Sequence, residues 1–229
     1  MSANVRIENK ILKGGKYKYV IGVDEVGLGA IAGLICACAV ILDLECAKKI
    51  KIKLKRKVLK INDSKVFNRQ ERDKLLNELV FCVIDYGFYS VDVDTINKIK
   101  NIMKCAKIAR IGAIKNLNLI QKYNKSDFYV IIDGNFKHKE LEFENESIVK
   151  ADAKSITVAA ASIIAKCLRD RYMLKMDQIF PEFSWKTNVG YRSKFHFEAI
   201  KKYGYTDLHR IYLIKDFIEK YDIKKYEIK

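Results

Sequence analysis

The chain has 229 residues, 49% of them hydrophobic, with 44 Lys and Arg against 28 Asp and Glu. That length and apolar content suffice for a sizeable core without staples. No stretch approaches the roughly 18 apolar residues of a membrane span, and the N-terminus has no signal-peptide core, so a cytoplasmic protein is expected. The formal net charge of +16 favours a polyanionic partner, nucleic acid first, through phosphate neutralisation and counterion release. The cysteines at 36, 38, 46, 82, 105 and 167 form no CxxC pair and are expected to be reduced packing residues.

In chain order, residues 1–17 read as an N-terminal extension. Strands follow near 18–25 and 32–42, joined as a hairpin by a glycine-bearing turn. The first strand is rich in Val and Ile yet ends in Asp24 and Glu25, residues that strands avoid. Two explanations stand side by side: one acid reaches solvent while the other caps a turn, or the pair belongs to a catalytic or metal site. Cys36 and Cys38 alternate with alanine in "LICACAV", which places both thiols on one face of a buried strand.

The stretch Lys48 to Lys60 holds eight basic residues in thirteen, partly alternating with Ile50, Ile52 and Leu54. It fits a basic edge strand or a helix rim, with either a solvated lysine face or nucleic acid as the reason for the charge. "NRQERDKLLNEL" predicts a helix with Asn68 as N-cap and Glu71 three residues on. "VFCVIDYGFYSV" predicts a third strand, residues 93–123 a helix, and "FYVIIDG" a short strand ending in Asp133 and glycine. "SITVAAASIIAKCLRDRYMLKMDQIF" predicts a long helix, with Asp152 just before it. Strands that begin as a hairpin and then alternate with helices imply an α/β fold with a mixed sheet flanked by helices.

Asp133 and Asp152 each have an ordinary explanation, a turn and a helix cap. Taken with Asp24 and Glu25, they suggest four carboxylates gathered where strand ends converge. Such a cluster repels itself and makes sense mainly around hard divalent cations, Mg²⁺ or Mn²⁺. In a basic chain this points to phosphodiester chemistry, in which two metals about 4 Å apart activate water and stabilise the departing oxygen.

The motifs "GVDEVGLGAIAG", "NDSK", "IIDG", "ADAKSITVAAASIIAKCLRDRYM", "GYRSKFH" and "KYGYTDLHR" together resemble the type 2 ribonuclease H family, ribonuclease HII, from about Tyr19 to Leu213. The resemblance implies a ribonuclease H-like mixed sheet over 18–180 and a helical, substrate-binding C-terminal portion over 181–229, packed as one unit. It implies metal-dependent cleavage of the RNA strand of RNA/DNA hybrids and incision at ribonucleotides embedded in DNA, leaving 5′-phosphate and 3′-hydroxyl ends. By motif position Asp24, Glu25, Asp133 and Asp152 correspond to the metal-binding carboxylates. Gly27, Leu28, Gly29, Ser64, Lys65, Lys154, Ser155, Tyr191 and Arg192 are the expected substrate contacts, Tyr191 by stacking near the deoxyribose at the junction. Ser155 fits a helix N-cap equally, and His196 and His209 fit hydrogen-bonded structural roles as well as catalytic ones.

The turn departs from the family's usual Gly-Arg-Gly, since Leu28 holds the arginine's place and loses a charge-assisted phosphate contact. Weaker junction affinity or an altered substrate preference is expected, and Arg192 is a candidate for partial replacement. The alternative is a nucleic-acid-binding protein on the same scaffold with weakened or altered nuclease specificity. A type 3 enzyme is disfavoured, because about 18 residues before the first strand leave no room for that family's N-terminal domain. The chain is expected to be a monomer, and its tail "EKYDIKKYEIK" fits a helix end or a docking peptide for a protein partner.

Overall fold

The computed structural model describes residues 3–55, 57–135 and 138–227. The strands are β1 (Tyr19–Val26), β2 (Ile35–Leu42), β3 (Ile52–Lys53), β4 (Val58–Leu59), β5 (Val83–Val91), β6 (Phe128–Asp133) and β7 (Glu144–Ile148). The helices are α1 (Arg6–Leu12), α2 (Leu44–Ala47), α3 (Arg69–Leu79), α4 (Val93–Ile99), α5 (Ile102–Lys115), α6 (Ile156–Ile179), α7 (Trp185–Asn188), α8 (Lys194–Tyr203) and α9 (Ile211–Lys220).

The main sheet has the order β5-β2-β1-β6-β7. β1 and β2 form the expected antiparallel hairpin, and β6 and β7 join in parallel. The mixed α/β sheet, its flanking helices and the helical C-terminal region all agree with the sequence reading. β2 is buried along its whole length, so it reads as one apolar run rather than an alternation. Its odd-numbered residues Ile35, Ala37, Ala39 and Ile41 face α5, together with Ile21 and Val23 of β1. Its even-numbered residues Cys38, Val40 and Leu42 face α3 and the alanine-rich start of α6.

Helix α6 comes unusually close to β1 because Gly22 has no side chain. A Cβ there would stand 2.4 Å from the Thr157 carbonyl carbon. This contact sets the N-terminal half of α6 over the strand that carries Asp24 and Glu25. A further cluster joins Phe183, Trp185, Ala199, Ile200 and Ile214 to Met173 of α6 and to Ile31 and Ala32 of the β1–β2 turn. The C-terminal helices are thereby anchored to the turn that follows the paired acids. Within the described residues the tail packs on the C-terminal helices: Tyr226 donates to Glu182 at 3.0 Å and its ring meets Phe180 and Phe183.

Several details differ from the sequence expectations. The helix expected over 93–123 is two helices, because Lys100 adopts a left-handed conformation and the Asn101 side chain accepts from the Lys104 N–H to start α5. The basic stretch takes the edge-strand alternative rather than the helix rim, but outside the main sheet. Its β3 and β4 make a small separate hairpin, with Ile50, Ile52 and Leu54 packed inward; Arg56 lies outside the described residues. Strand β7, "ENESI", is polar because it is an edge, and its sequence carries no strand signal. Cys46 of α2 and Cys82 at the α3–β5 junction are joined by a disulfide, so the expectation of six reduced cysteines is corrected. The other four, Cys36 and Cys38 among them, are buried free thiols.

Candidate active site

The parallel pairing of β1 with β6 sets Val23 beside Ile132, so the next residues, Asp24 and Asp133, leave neighbouring strands at the same end of the sheet. Asp152 comes from the short turn Ala151–Ala153 ahead of α6, and that turn is tied to β6 because the Ala151 N–H donates to Asp133 Oδ1 at 2.7 Å. The four acids therefore reach one region from three segments. Burial, then Glu25 and Asp133, push the Asp24 pKa well above the ordinary carboxylate range. Burial also raises Asp133 and, with the Asp133 and Asp63 charges, pushes Asp152 up to about 6. Mutual repulsion of this kind marks a place short of positive charge.

Two cations partly answer it. Arg110 of α5, itself buried, donates from Nε to Glu25 Oε2 at 2.6 Å. Lys65 Nζ stands 3.8 Å from Asp152 Oδ2. Its partial burial opposes the charge, but Asp63, Asp152, Asp24 and Asp133 outweigh that and raise its pKa. The Ser162 hydroxyl of α6 shares a hydrogen bond with the Ser64 hydroxyl at 2.9 Å and favours the ionised form of Asp24.

Asp24, Glu25, Gly27, Leu28, Gly29, Ser64, Lys65, Asp133, Ser162, Lys166 and Tyr191 line one open cavity of about 360 Å³. Most of the expected site residues thus come together. Lys154 is exposed and donates to the Val149 carbonyl at 2.7 Å, and Arg192 is exposed on the loop after Tyr191. Ser155 is fully buried as the N-cap of α6, accepting from the Val158 N–H at 3.2 Å and donating to Glu8 at 2.5 Å.

The turn after the acids is shaped by two buried arginines. Gly27 has φ of 97°, and a Cβ on it would meet Arg169 Nε at 2.6 Å, so only glycine fits. Arg210 gathers the carbonyls of Gly27 (2.6 Å), Ala30 (2.9 Å), Gly33 (3.0 Å) and Leu34 (2.9 Å), with Leu28 at 3.4 Å. Arg169 takes those of Ala32, Leu34 and Val189. Burial and the adjacent Arg169 lower the Arg210 pKa to about 10. Because a trans peptide points its N–H opposite its C=O, the Leu28 and Gly29 amides are turned away from Arg210.

Tyr191 faces this turn across Gly29, with Lys166 Nζ 5.2 Å and the Arg169 guanidinium 5.3 Å from its ring centre. Its backbone is held by a buried histidine chain. His196 Nδ1 donates to the Tyr191 carbonyl at 3.0 Å, and His196 Nε2 accepts from Trp185 and from His209 Nε2, each at 3.1 Å. His209 Nδ1 accepts from the Thr206 N–H at 2.9 Å, which assigns one neutral tautomer to each ring. Burial lowers the pKa of His196 to about 4, and burial plus His196 lowers that of His209 to about 3. Both histidines hold structure behind the site rather than lining the cavity.

Arg110, Ser162, Lys166, Arg169, Arg210 and Glu8 were absent from the sequence expectations. Lys166 also pairs with Asp170 one helical turn on, at 2.7 Å, whereas Arg110, Ser162, Arg169, Arg210 and Glu8 meet partners far away in the chain.

The family profile described as ribonuclease HII matches residues 21–216. The chain belongs to the ribonuclease HII family. Ribonuclease HII of Caldicellulosiruptor bescii is 35% identical over 212 residues, covering 93% of this chain and 94% of that one. The crystal structure of ribonuclease H2 from Pyrococcus horikoshii superposes with a TM-score of 0.70 at 25% identity, covering 89% of this chain and 99% of that one. A Bst-RNase HIII structure in complex with Mn²⁺ shares the fold, with a TM-score of 0.62 at 20% identity over 82% of this chain and 63% of that one. Membership makes the chain a ribonuclease H hydrolase. Among the described residues no helix is long and apolar enough to cross a membrane.

Among the described residues no three His, Cys, Asp or Glu side chains close into a metal cage. Glu25 is engaged by Arg110 and Asp133 by the Ala151 amide. The donor chemistry nevertheless fits a hard divalent cation: every candidate ligand is a carboxylate, and the cluster resists its own negative charge. An open oxygen site of this kind suits Mg²⁺ or Mn²⁺, which retain water and take ligands from a substrate phosphate.

Proposed function

We propose that this chain cleaves the RNA strand of RNA/DNA hybrids and incises DNA beside embedded ribonucleotides, in the cytoplasm, using Mg²⁺ or Mn²⁺. The observation that carries the reading is the convergence of Asp24, Glu25, Asp133 and Asp152 at one sheet end, with Asp24 and Asp152 resisting ionisation beside a cavity lined by Lys65, Lys166 and Tyr191. The Mn²⁺ bound to the type 3 relative supports the choice of metal.

Asp24, Glu25, Asp133 and Asp152 would hold the cations. Bound there, two ions would lower the pKa of an attacking water and stabilise the leaving 3′-oxygen, giving 5′-phosphate and 3′-hydroxyl ends. Ser64, Lys65 and Lys166 supply hydroxyl and ammonium donors for the phosphates beside the cavity. Tyr191 offers an aromatic face to a sugar, its backbone fixed by His196. Gly27 and Gly29 allow backbone to approach a ribose, while Leu28 brings no charge to the phosphate.

The test is cleavage of two labelled duplexes, one with a single ribonucleotide in DNA and one with continuous RNA on DNA, each with Mg²⁺, Mn²⁺ or chelator. Metal-dependent incision of both, lost in Asp24→Asn, is expected. Binding of both duplexes without cleavage under any metal would favour the nucleic-acid-binding alternative, which Leu28 motivates.

A further inference from the structure

The family match begins at residue 21, yet a buried carboxylate upstream of it reaches the turn that carries Asp152. Glu8 of α1 is fully buried. Its Oε1 accepts from the Ser155 hydroxyl at 2.5 Å and from the Thr157 N–H at 3.0 Å. The Ser155 hydroxyl accepts from the Val158 N–H, so Glu8 and Ser155 together satisfy two first-turn amides of α6. An unpaired carboxylate this deep would be costly. The α6 N-terminus and two donors offset that cost.

Other contacts tie the same segment to the site. The Asn4 N–H donates to the Lys154 carbonyl at 3.1 Å, and the Asn4 carbonyl accepts from the Ile156 N–H at 3.2 Å, a short parallel pairing along the turn. The Ala3 N–H donates to Asn62 Oδ1 at 3.2 Å, in the "NDSK" loop that presents Ser64 and Lys65. Ile7, Ile11 and Leu12 pack on Val20, Ile131, Ala151 and Val158.

From Ser155 the path to the acids is short. The Ser155 N–H donates to the Ala151 carbonyl at 2.8 Å, and the Ala151 N–H holds Asp133 Oδ1 at 2.7 Å. Asp152 lies between Ala151 and Ser155 in the same turn. The serine alone would suffice as an N-cap. A second, buried acceptor that grips the cap residue fixes where the turn stands relative to β6.

We propose that Glu8 is a positioning residue for the metal site, setting the Ala151–Ser155 turn and through it Asp133 and Asp152. The proposal rests on the reading of those acids as cation ligands. It makes the N-terminal segment part of the active-site support, since outer groups that orient ligands commonly change metal affinity or activity about 10–100-fold when removed.

The test compares the full-length wild type with Glu8→Ala and Glu8→Gln, reading Mn²⁺ affinity by electron paramagnetic resonance without substrate, then kcat and KM at a temperature well below melting. Glu8→Ala should weaken Mn²⁺ binding about tenfold and lower kcat with KM for the duplex unchanged. Glu8→Gln, which keeps an acceptor oxygen for Ser155 and Thr157, should recover most of both. Should Glu8→Ala not fold, Glu8→Asp, one methylene short of Ser155, carries the same comparison. A lower melting temperature with unchanged Mn²⁺ affinity and kcat would overturn the proposal and leave Glu8 a helix cap. A wild type that binds no Mn²⁺ would overturn the metal-site reading and the proposal with it, which separates the two failures.

Discussion

Arg110 and Glu25 form a buried ion pair across α5 and β1, Nε to Oε2 at 2.6 Å, with side chains 1% and 9% exposed. Glu25 thus has a permanent cationic neighbour, whereas the Asp24 charge faces chiefly other acids. The two adjacent carboxylates of β1 therefore stand in different surroundings, and their replacements should behave differently.

Arg110→Met should destabilise the protein by about 3–5 kcal/mol, because it strands a buried carboxylate. The double variant Arg110→Met with Glu25→Gln should recover most of that loss, since neither charge is then left alone. Urea unfolding of both variants and of Glu25→Gln closes the cycle, and simple additivity would contradict the pairing.

Asp24→Asn should raise metal-free stability by about 1 kcal/mol or more at pH 7 while removing cleavage. A carboxylate whose native pKa is raised by burial and repulsion opposes folding when ionised, and the amide keeps the shape without the charge. Thermal unfolding in chelator measures this. A melting temperature below that of the wild type would contradict it.

His196 and His209 give a pH signature of known sign. Their folded pKa values of about 4 and about 3 lie below the unfolded value near 6.5, so the unfolded chain takes up protons first. Their contribution is whole above pH 6.5 and is lost as pH falls towards the folded values, at about 1.4 kcal/mol per pH unit per ring. The acids Asp24, Asp133 and Asp152 act in the opposite direction, because acid relieves their repulsion. Nitrogen NMR separates the two effects: both rings should remain neutral at pH 5, with the proton on Nδ1 of His196 and on Nε2 of His209.

Leu28→Arg should raise incision at a single embedded ribonucleotide about tenfold relative to cleavage of continuous hybrid, the scale of one charge-assisted phosphate contact. Parallel initial rates on the two duplexes measure it. Equal rates before and after would place junction reading elsewhere.

Cys82→Ser should lower stability by about 3–4 kcal/mol, the chain-entropy value for opening a loop of this length, while leaving cleavage at 25 °C unchanged. The bridged residues are 36 apart in sequence, and the bridge follows the Leu42 end of β2, whereas Asp24 pairs with Cys38 further back along that strand. Melting with and without reductant reads the effect on the unmodified chain.

The sequence made Asp24, Glu25 and Asp133 conspicuous because acid at the end of an apolar strand conflicts with local preference, and that conflict is visible without coordinates. The capping box of Asn68 and Glu71 was legible for the same reason, being complete within four residues. Ser155 fitted two roles, and only its burial against Glu8 distinguishes them. Arg110, Arg169 and Arg210 were illegible: each sits in a stretch already explained as helix or motif, and the bonds to Glu25, to the Ala32 and Leu34 carbonyls and to the Gly33 carbonyl span 85 or more positions. The Cys46–Cys82 bridge was hidden too, since two cysteines of six at no special spacing carry no pairing signal. Strand β7 shows the converse, a polar segment made a strand by the edge it meets rather than by its own residues.

The carbonyl clamp of Arg210 separates scaffolding from reading in the Gly27-Leu28-Gly29 turn. Residue 28 lends the clamp only its main chain, so the clamp itself does not depend on a charge at that position, while the leucine side chain packs against the core beside β1. A change at that position therefore alters what the loop says to a nucleic acid without undoing the clamp. Substrate preference becomes adjustable one residue at a time, on a frame maintained by a guanidinium almost two hundred positions downstream, the kind of arrangement in which a leucine can replace an arginine and leave a foldable protein.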